Sequence, residues 1–148
     1  MNAFRRAIFE TITFAGIIIL AASVSPRIAA QSLVEFKMPS NNIYCMLETP
    51  YNDDGLRCDI REVTDSLPPQ PASCQFAWGK SFEITPNGSV GTRICVSDAV
   101  YDPTFPTLAY GMQWNQGGVG CKSAETGLTC TNAAGHGFMI SKEVQKLF

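Results

Sequence analysis

Six cysteines constrain this chain more than any other feature: Cys45, Cys58, Cys74, Cys95, Cys121 and Cys130, all downstream of an apolar N-terminal stretch. An even cysteine count in a short exported chain reads as a disulfide framework. Two of them sit in near-copies of one phrase, Gly55-Leu56-Arg57-Cys58 and Gly127-Leu128-Thr129-Cys130. A duplicated hairpin leaves such an echo, and so does a chance match of a few residues in a glycine-rich β chain.

The N-terminus supplies the export signal. Arg5 and Arg6 precede an apolar run from Ile12 to Ala22, Ser25-Pro26 breaks any helix, and Ala29-Ala30 offers small residues at a cleavage point. The run is shorter than the roughly 20 residues a bilayer span needs. Cleavage after Ala30 is expected, so residues 1–30 form a signal-peptide helix and the mature chain starts at Gln31. Ile28 is bulky for its place before the cut, which makes an uncleaved membrane anchor the competing outcome. Both outcomes deliver the remainder to a secreted or periplasmic location.

Removing Arg5, Arg6, Arg27 and Glu10 leaves eight Lys/Arg against twelve Asp/Glu, a net charge of −4 for residues 31–148. Nucleic acid or an anionic membrane surface would require clustered basic residues, so neither is an expected partner. By length, residues 31–148 make a single domain. A domain of that size gains appreciably from cross-links. The proline segment Leu67–Pro71 reads as an extended crossing between two parts of it.

Most of the chain before Ser141 reads as short strands and turns. Val34–Met38, Phe82–Ile84 and Ile43–Leu47 carry alternating or apolar strand patterns, and Leu56–Ile60 returns after the Asn52–Gly55 turn. Cys74–Trp78, Thr92–Val96, Leu108–Trp114, Val119–Ser123, Leu128–Thr131 and Gly137–Ser141 are further expected strands, with Thr85–Gly88 as a hairpin turn. Asp98–Pro106 reads as a loop because Pro103 and Pro106 exclude a regular central strand. Ser141 is a helix N-cap candidate, and Ser141–Phe148 is expected to form a short C-terminal helix. The expected fold is therefore mostly β, a small disulfide-stapled antiparallel sheet or barrel-like domain.

Directly opposed residues at a non-hydrogen-bonded antiparallel pair lie roughly 4.5–5.5 Å apart, within reach of a disulfide. Cys45 and Cys58 flank the Asn52–Gly55 turn, Cys121 and Cys130 flank Ser123–Gly127, and Cys74 and Cys95 bracket the third hairpin region. The expected bridges are Cys45–Cys58, Cys74–Cys95 and Cys121–Cys130.

Oxidised thiols are unavailable to metals, and no Cys-x-x-Cys occurs, so neither a metal nor a cofactor is expected. His136 is the single histidine, set between glycines, and is the catalytic candidate. Asp53-Asp54 near Glu48 could attract calcium, although Asn-Asp-Asp-Gly is sufficiently explained as a tight turn. Trp114, Tyr110 and Trp78 are the ligand-binding candidates. The loop Gln113–Gly118 is the expected place for an exposed Trp114, although such aromatics commonly close the core of a small β domain.

The chain resembles an uncharacterised family of small exported bacterial proteins, a domain of unknown function. The likeness rests on Met38-Pro39-Ser40 with Asn42-Ile43-Tyr44-Cys45, Leu56-Arg57-Cys58-Asp59-Ile60, Pro68-Pro69 and Trp78-Gly79. It continues through Leu108-Ala109-Tyr110-Gly111, Trp114, Cys121, Gly127-Leu128-Thr129-Cys130 with Asn132, Gly135-His136-Gly137-Phe138 and Phe148. It implies bacterial origin and export but no activity. One departure is Asn41, where the family pattern favours glycine; asparagine also tolerates a left-handed turn.

The leading expectation is an exported binding or structural module, monomeric, acting on an envelope or extracellular ligand. One alternative is a small secreted enzyme using His136 with a carboxylate. The other is a hydrolase inhibitor presenting a rigid loop with Trp114 turned outward.

Overall fold

The computed structural model describes residues 34–48, 55–64 and 66–148. The expected signal-peptide helix and the Asp53-Asp54 turn lie outside these residues. Ten strands follow in order: β1 Glu35–Lys37, β2 Ile43–Glu48, β3 Gly55–Ile60, β4 Ser81–Ile84 and β5 Thr92–Arg93, then β6 Gln113–Gln116, β7 Val119–Ala124, β8 Gly127–Asn132, β9 Gly137–Ile140 and β10 Gln145–Leu147. They form two five-stranded antiparallel sheets, each a simple meander in chain order.

The two sheets repeat one another. Across the first, opposed residues run Phe36, Cys45, Cys58, Phe82, Arg93; across the second they run Trp114, Cys121, Cys130, Phe138, Leu147. Aromatic, cysteine, cysteine, phenylalanine thus recurs at the same register. Leu56 faces Ile84 in one sheet as Leu128 faces Ile140 in the other. The Gly-Leu-x-Cys echo falls on equivalent strands, the arrangement that tandem duplication of one five-stranded unit produces.

These rows meet face to face. The rings of Phe36 and Trp114 are 5.3 Å apart, and those of Phe82 and Phe138 are 5.9 Å apart. Tilted aromatic pairs at such distances add about 0.5–1.5 kcal/mol beyond the area they bury. Leu47, Leu56, Ile60, Ile84, Leu128 and Ile140 fill the rest of the core. Period-2 alternation puts these side chains on one face of each strand, which is why the strand pattern was readable in the sequence.

Three disulfides join the expected pairs, two of them directly opposed in hairpin register. Cys45–Cys58 and Cys121–Cys130 link directly opposed residues with Cα atoms 4.1 Å apart, and both lie inside the core. Cys74–Cys95 spans 5.6 Å between Cα atoms and joins two connecting segments outside the sheets. There Cys74–Trp78 makes a single bridge, Ala77 to Val96, instead of a strand, and β5 stops at Arg93. Similarly, Leu108–Trp114 is mostly a crossing segment. Thr107 bridges Lys37 of β1, and Ser123 Oγ donates to the Leu108 carbonyl at 3.0 Å.

The C-terminus corrects one expectation. Ser141–Phe148 is a turn followed by β10, and the described residues contain no helix. The Ser141 hydroxyl does accept from the backbone amides of Glu143 and Val144 at 3.2 and 3.1 Å. However, Ser141 N–H also bonds the Val144 carbonyl at 2.7 Å, closing a hairpin. Eight residues form no stable helix alone, whereas the open edge of β9 supplies backbone partners at once. The Phe148 carbonyl then accepts from Gly91 and Gly137. A Cβ on Gly91 would stand 2.0 Å from the Gly137 oxygen, so the two sheets approach here at a distance only glycine permits.

Candidate functional site

Four separate segments converge at one end of the sandwich: the β1–β2 turn, the residues after β3, the β7–β8 turn and the β9–β10 turn. Between them lies a cleft of about 400 Å³ whose lining includes Asn41, Asn42, Arg61, Glu62, Tyr110, Glu125 and Glu143. Both halves of the repeat therefore contribute to it. At the other end, the β6–β7 and β8–β9 turns of the second half, around Gly118 and Asn132, line a recess of about 470 Å³.

The cleft is held by backbone clamps. Asn41 has φ of 53°, the left-handed conformation that asparagine or glycine supplies in a tight turn. Asn42 then grips the residues after β3: its side-chain amide donates to the Glu62 carbonyl at 3.0 Å and its Oδ1 accepts from Glu62 N–H at 2.8 Å. Its own carbonyl accepts from Arg61 N–H at 2.9 Å. Lys142 reaches back to Glu62 at 2.9 Å, tying the second half to the first. The hydrogen bond and charge of Lys142, with smaller contributions from Arg61 and Lys80, hold the Glu62 carboxyl below its ordinary range, while Glu62 raises the Lys142 ammonium. Because Glu62 is depressed, any stability from this pair is present above the ordinary carboxylate range and disappears as acidification protonates Glu62. Both groups are solvent-exposed, so the bridge serves more to orient than to stabilise.

Two groups at the cleft stay available. The Arg61 guanidinium lies over the Tyr101 ring, 4.6 Å from its centroid, with no acceptor side chain among the described residues. The Glu125 carboxylate likewise has no partner among them. Tyr110 is 41% exposed at the margin. Amides, hydroxyls, an aromatic face and both signs of charge make the cleft suited to a polar, hydrogen-bonding ligand.

Beside it, the outer face of the first sheet hides a buried ion pair. Arg57 Nε and Nη2 donate to the two carboxylate oxygens of Asp59 at 3.0 and 2.9 Å, and these residues are 7% and 6% exposed. Burial lowers the Arg57 pKa, but Asp59's hydrogen bond and charge, with Glu48 and Asp98, outweigh it and leave the guanidinium above its usual value. The pair pins a strap: Arg57 Nη2 donates to the Asp98 carbonyl, and Asp59 Oδ2 accepts from Val100 N–H at 2.7 Å. Tyr101 and Phe105 of this strap cover Tyr44, with ring centroids 4.9 and 6.3 Å from it. Sequence reading missed both residues as a unit. Arg57 and Asp59 alternate with Leu56, Cys58 and Ile60, and that spacing already puts them on one face of the strand.

The four residues singled out from sequence separate. Tyr110 lines the cleft. Trp114 lies in β6, packed against Phe36 and 6% exposed, so the expected outward-facing loop Gln113–Gly118 is instead a strand and a tight turn. The inhibitor reading loses its anchor. Trp78 is half-buried, and its indole N–H is enclosed without a partner among the described residues. His136 is half-buried in the β8–β9 turn, where no hydrogen bond or ion pair joins its ring to a described residue. No three His, Cys, Asp or Glu side chains cluster to hold a metal among the described residues.

What organises the His136 turn is Asn132, 5% exposed. Its Oδ1 accepts from the amides of Ala134 and His136 at 3.1 Å each, and its Nδ2 donates to the carbonyls of Thr85 and Gly88 at 3.2 and 2.7 Å. Asn132→Ala leaves several of these groups unpaired and should lower stability by about 2–3 kcal/mol. Urea denaturation measures this, and a loss under about 0.5 kcal/mol, ordinary for a surface change, would contradict it.

The fold and its bridges define a class: a disulfide-stapled antiparallel β-sandwich built from two similar halves. Residues 15–148 match the model of a family of unknown function, DUF6636, and the chain belongs to that family. No curated protein and no solved structure matches it at a similarity that carries an argument. Three disulfides point to an oxidising, extracellular environment. No helix among the described residues is long and apolar enough to cross a membrane.

Proposed function

We propose that this protein is an exported, monomeric binding module of the cell envelope or extracellular space, and that the cleft between the sheet ends is its ligand site. The observation that carries this reading is the Asn42 clamp. It fixes Arg61 and Glu62 at a cleft to which both halves contribute polar groups, so little ordering remains to be done on binding. The leader Met1–Ala30 would deliver the chain, and the disulfides suit the destination. A polar envelope polymer presenting hydroxyls, amides and charges of both signs fits the lining.

Cosedimentation with purified cell-wall sacculi tests the proposal. The oxidised protein should pellet saturably, and Tyr110→Ala combined with Glu125→Lys should weaken retention about tenfold at unchanged melting temperature. Retention that ignores those substitutions, or no retention at all, would overturn the assignment of this cleft.

A further inference from the structure

The strap pinned by Arg57 and Asp59 forms one wall of a second, more apolar pocket of about 420 Å³, which meets the cleft at Arg61. Ala77, Val96, Ala99, Val100 and Tyr101 supply its apolar surface. Lys80 and Arg61 also line it. Three independent restraints hold these walls. The buried ion pair fixes Asp98 and Val100, the Ala77–Val96 bridge fixes the opposite side, and Cys74–Cys95 locks the two segments together. The pocket is thus formed before anything enters it.

Its charge is directional. Asp59 is neutralised by Arg57. Among the described residues Lys80 Nζ donates to the Arg61 carbonyl, at 2.8 Å, and to no other acceptor, and the Arg61 guanidinium is stacked on Tyr101 with its donors unclaimed by any described acceptor. Asp98, whose carboxylate accepts from Ser97 Oγ at 3.2 Å, is the second carboxylate in the lining. With Arg57 counted beside its partner Asp59, three cations stand against two carboxylates, a net charge of +1. The geometry points to a binding site for an amphipathic organic acid, its apolar body laid along Ala77, Val96 and Val100 and its carboxylate between Arg61 and Lys80. A planar guanidinium supplies the forked donors a carboxylate accepts, and an ammonium adds a point charge. This site goes beyond the polar cleft: it shares Arg61 with it, while Lys80 and the apolar wall belong to this pocket alone.

Backbone-amide NMR of the oxidised protein, titrated separately with octanoate, octylammonium and 1-octanol, tests the assignment. Octanoate should give saturable shifts concentrated on Ala77–Lys80 and Val96–Tyr101. It should bind at least about tenfold more tightly than the alcohol or the amine, and more weakly as salt rises. Arg61→Gln with Lys80→Gln should remove that preference for the acid, and Ala77→Trp should block all three probes. Equal binding of octanoate and octanol, an unchanged preference in the Gln variant, or shifts confined to Ser40–Asn42 and Glu143 would each overturn it. The wild-type titration reads the site directly, even if a variant misfolds.

Discussion

Reduction of the three disulfides should unfold this protein under otherwise native conditions, in two stages. The bridges close sequence separations of 13, 21 and 9 residues. In the chain-entropy account each removes about 3 kcal/mol of unfolded-state freedom. Together they rival the roughly 5–15 kcal/mol by which a typical domain is stable. Accessibility sets the order. Cys45, Cys58 and Cys130 are fully buried and Cys121 nearly so, whereas Cys95 is exposed. A thiol reductant reaches Cys74–Cys95 first, loosening the strap while the sandwich persists. The two core bridges become available only when the sheets open, and then the fold collapses. Alkylation with mass mapping, followed alongside near-ultraviolet circular dichroism, measures both stages. Two labels at Cys74 and Cys95 should precede the spectral change, and the remaining four should appear with it. Early labelling of Cys45 or Cys121, or a native spectrum with six labels, would contradict this order of reduction.

Arg57→Leu should be the most damaging single substitution outside the core and the bridges. It leaves the Asp59 carboxylate buried without its bidentate partner, a defect that costs about 3–5 kcal/mol. Arg57→Met combined with Asp59→Leu removes both charges and should recover stability to within about 1 kcal/mol of the wild type. The double variant should still lose order at Asp98–Tyr101, because the strap's carbonyl and amide contacts go with the pair. Denaturant midpoints for the single and double variants supply the coupling energy. A double variant no more stable than Arg57→Leu would show that the pair is not the organising element.

How much of this was legible beforehand depended on the range of the interaction. Cys45–Cys58 and Cys121–Cys130 follow from local hairpin register, Cys74–Cys95 is the pair left over, and most strands follow from alternation of single apolar residues with polar ones. The C-terminal segment misled because Ser141 with Glu143 and Val144 makes the same hydroxyl-to-amide bonds in a turn as at a helix start. Only the free edge of β9 decides between them. Trp114 sits among the polar residues Gln113, Asn115 and Gln116, a pattern that reads as an exposed loop; its partner, Phe36, is 78 positions away. The cleft itself joins residues from Met38 to Glu143. No short window of the chain contains it.

Whether the cleft at the sheet ends is the ligand site is decided by a backbone-amide NMR titration of the oxidised protein with soluble cell-wall fragments. Saturable shifts are expected at Ser40–Asn42, Glu62, Tyr110 and Ser141–Glu143, with Asn115–Gly120 and Thr131–Ala133 at the opposite end unmoved. Saturable shifts at that opposite recess, with none at the cleft, would contradict the assignment.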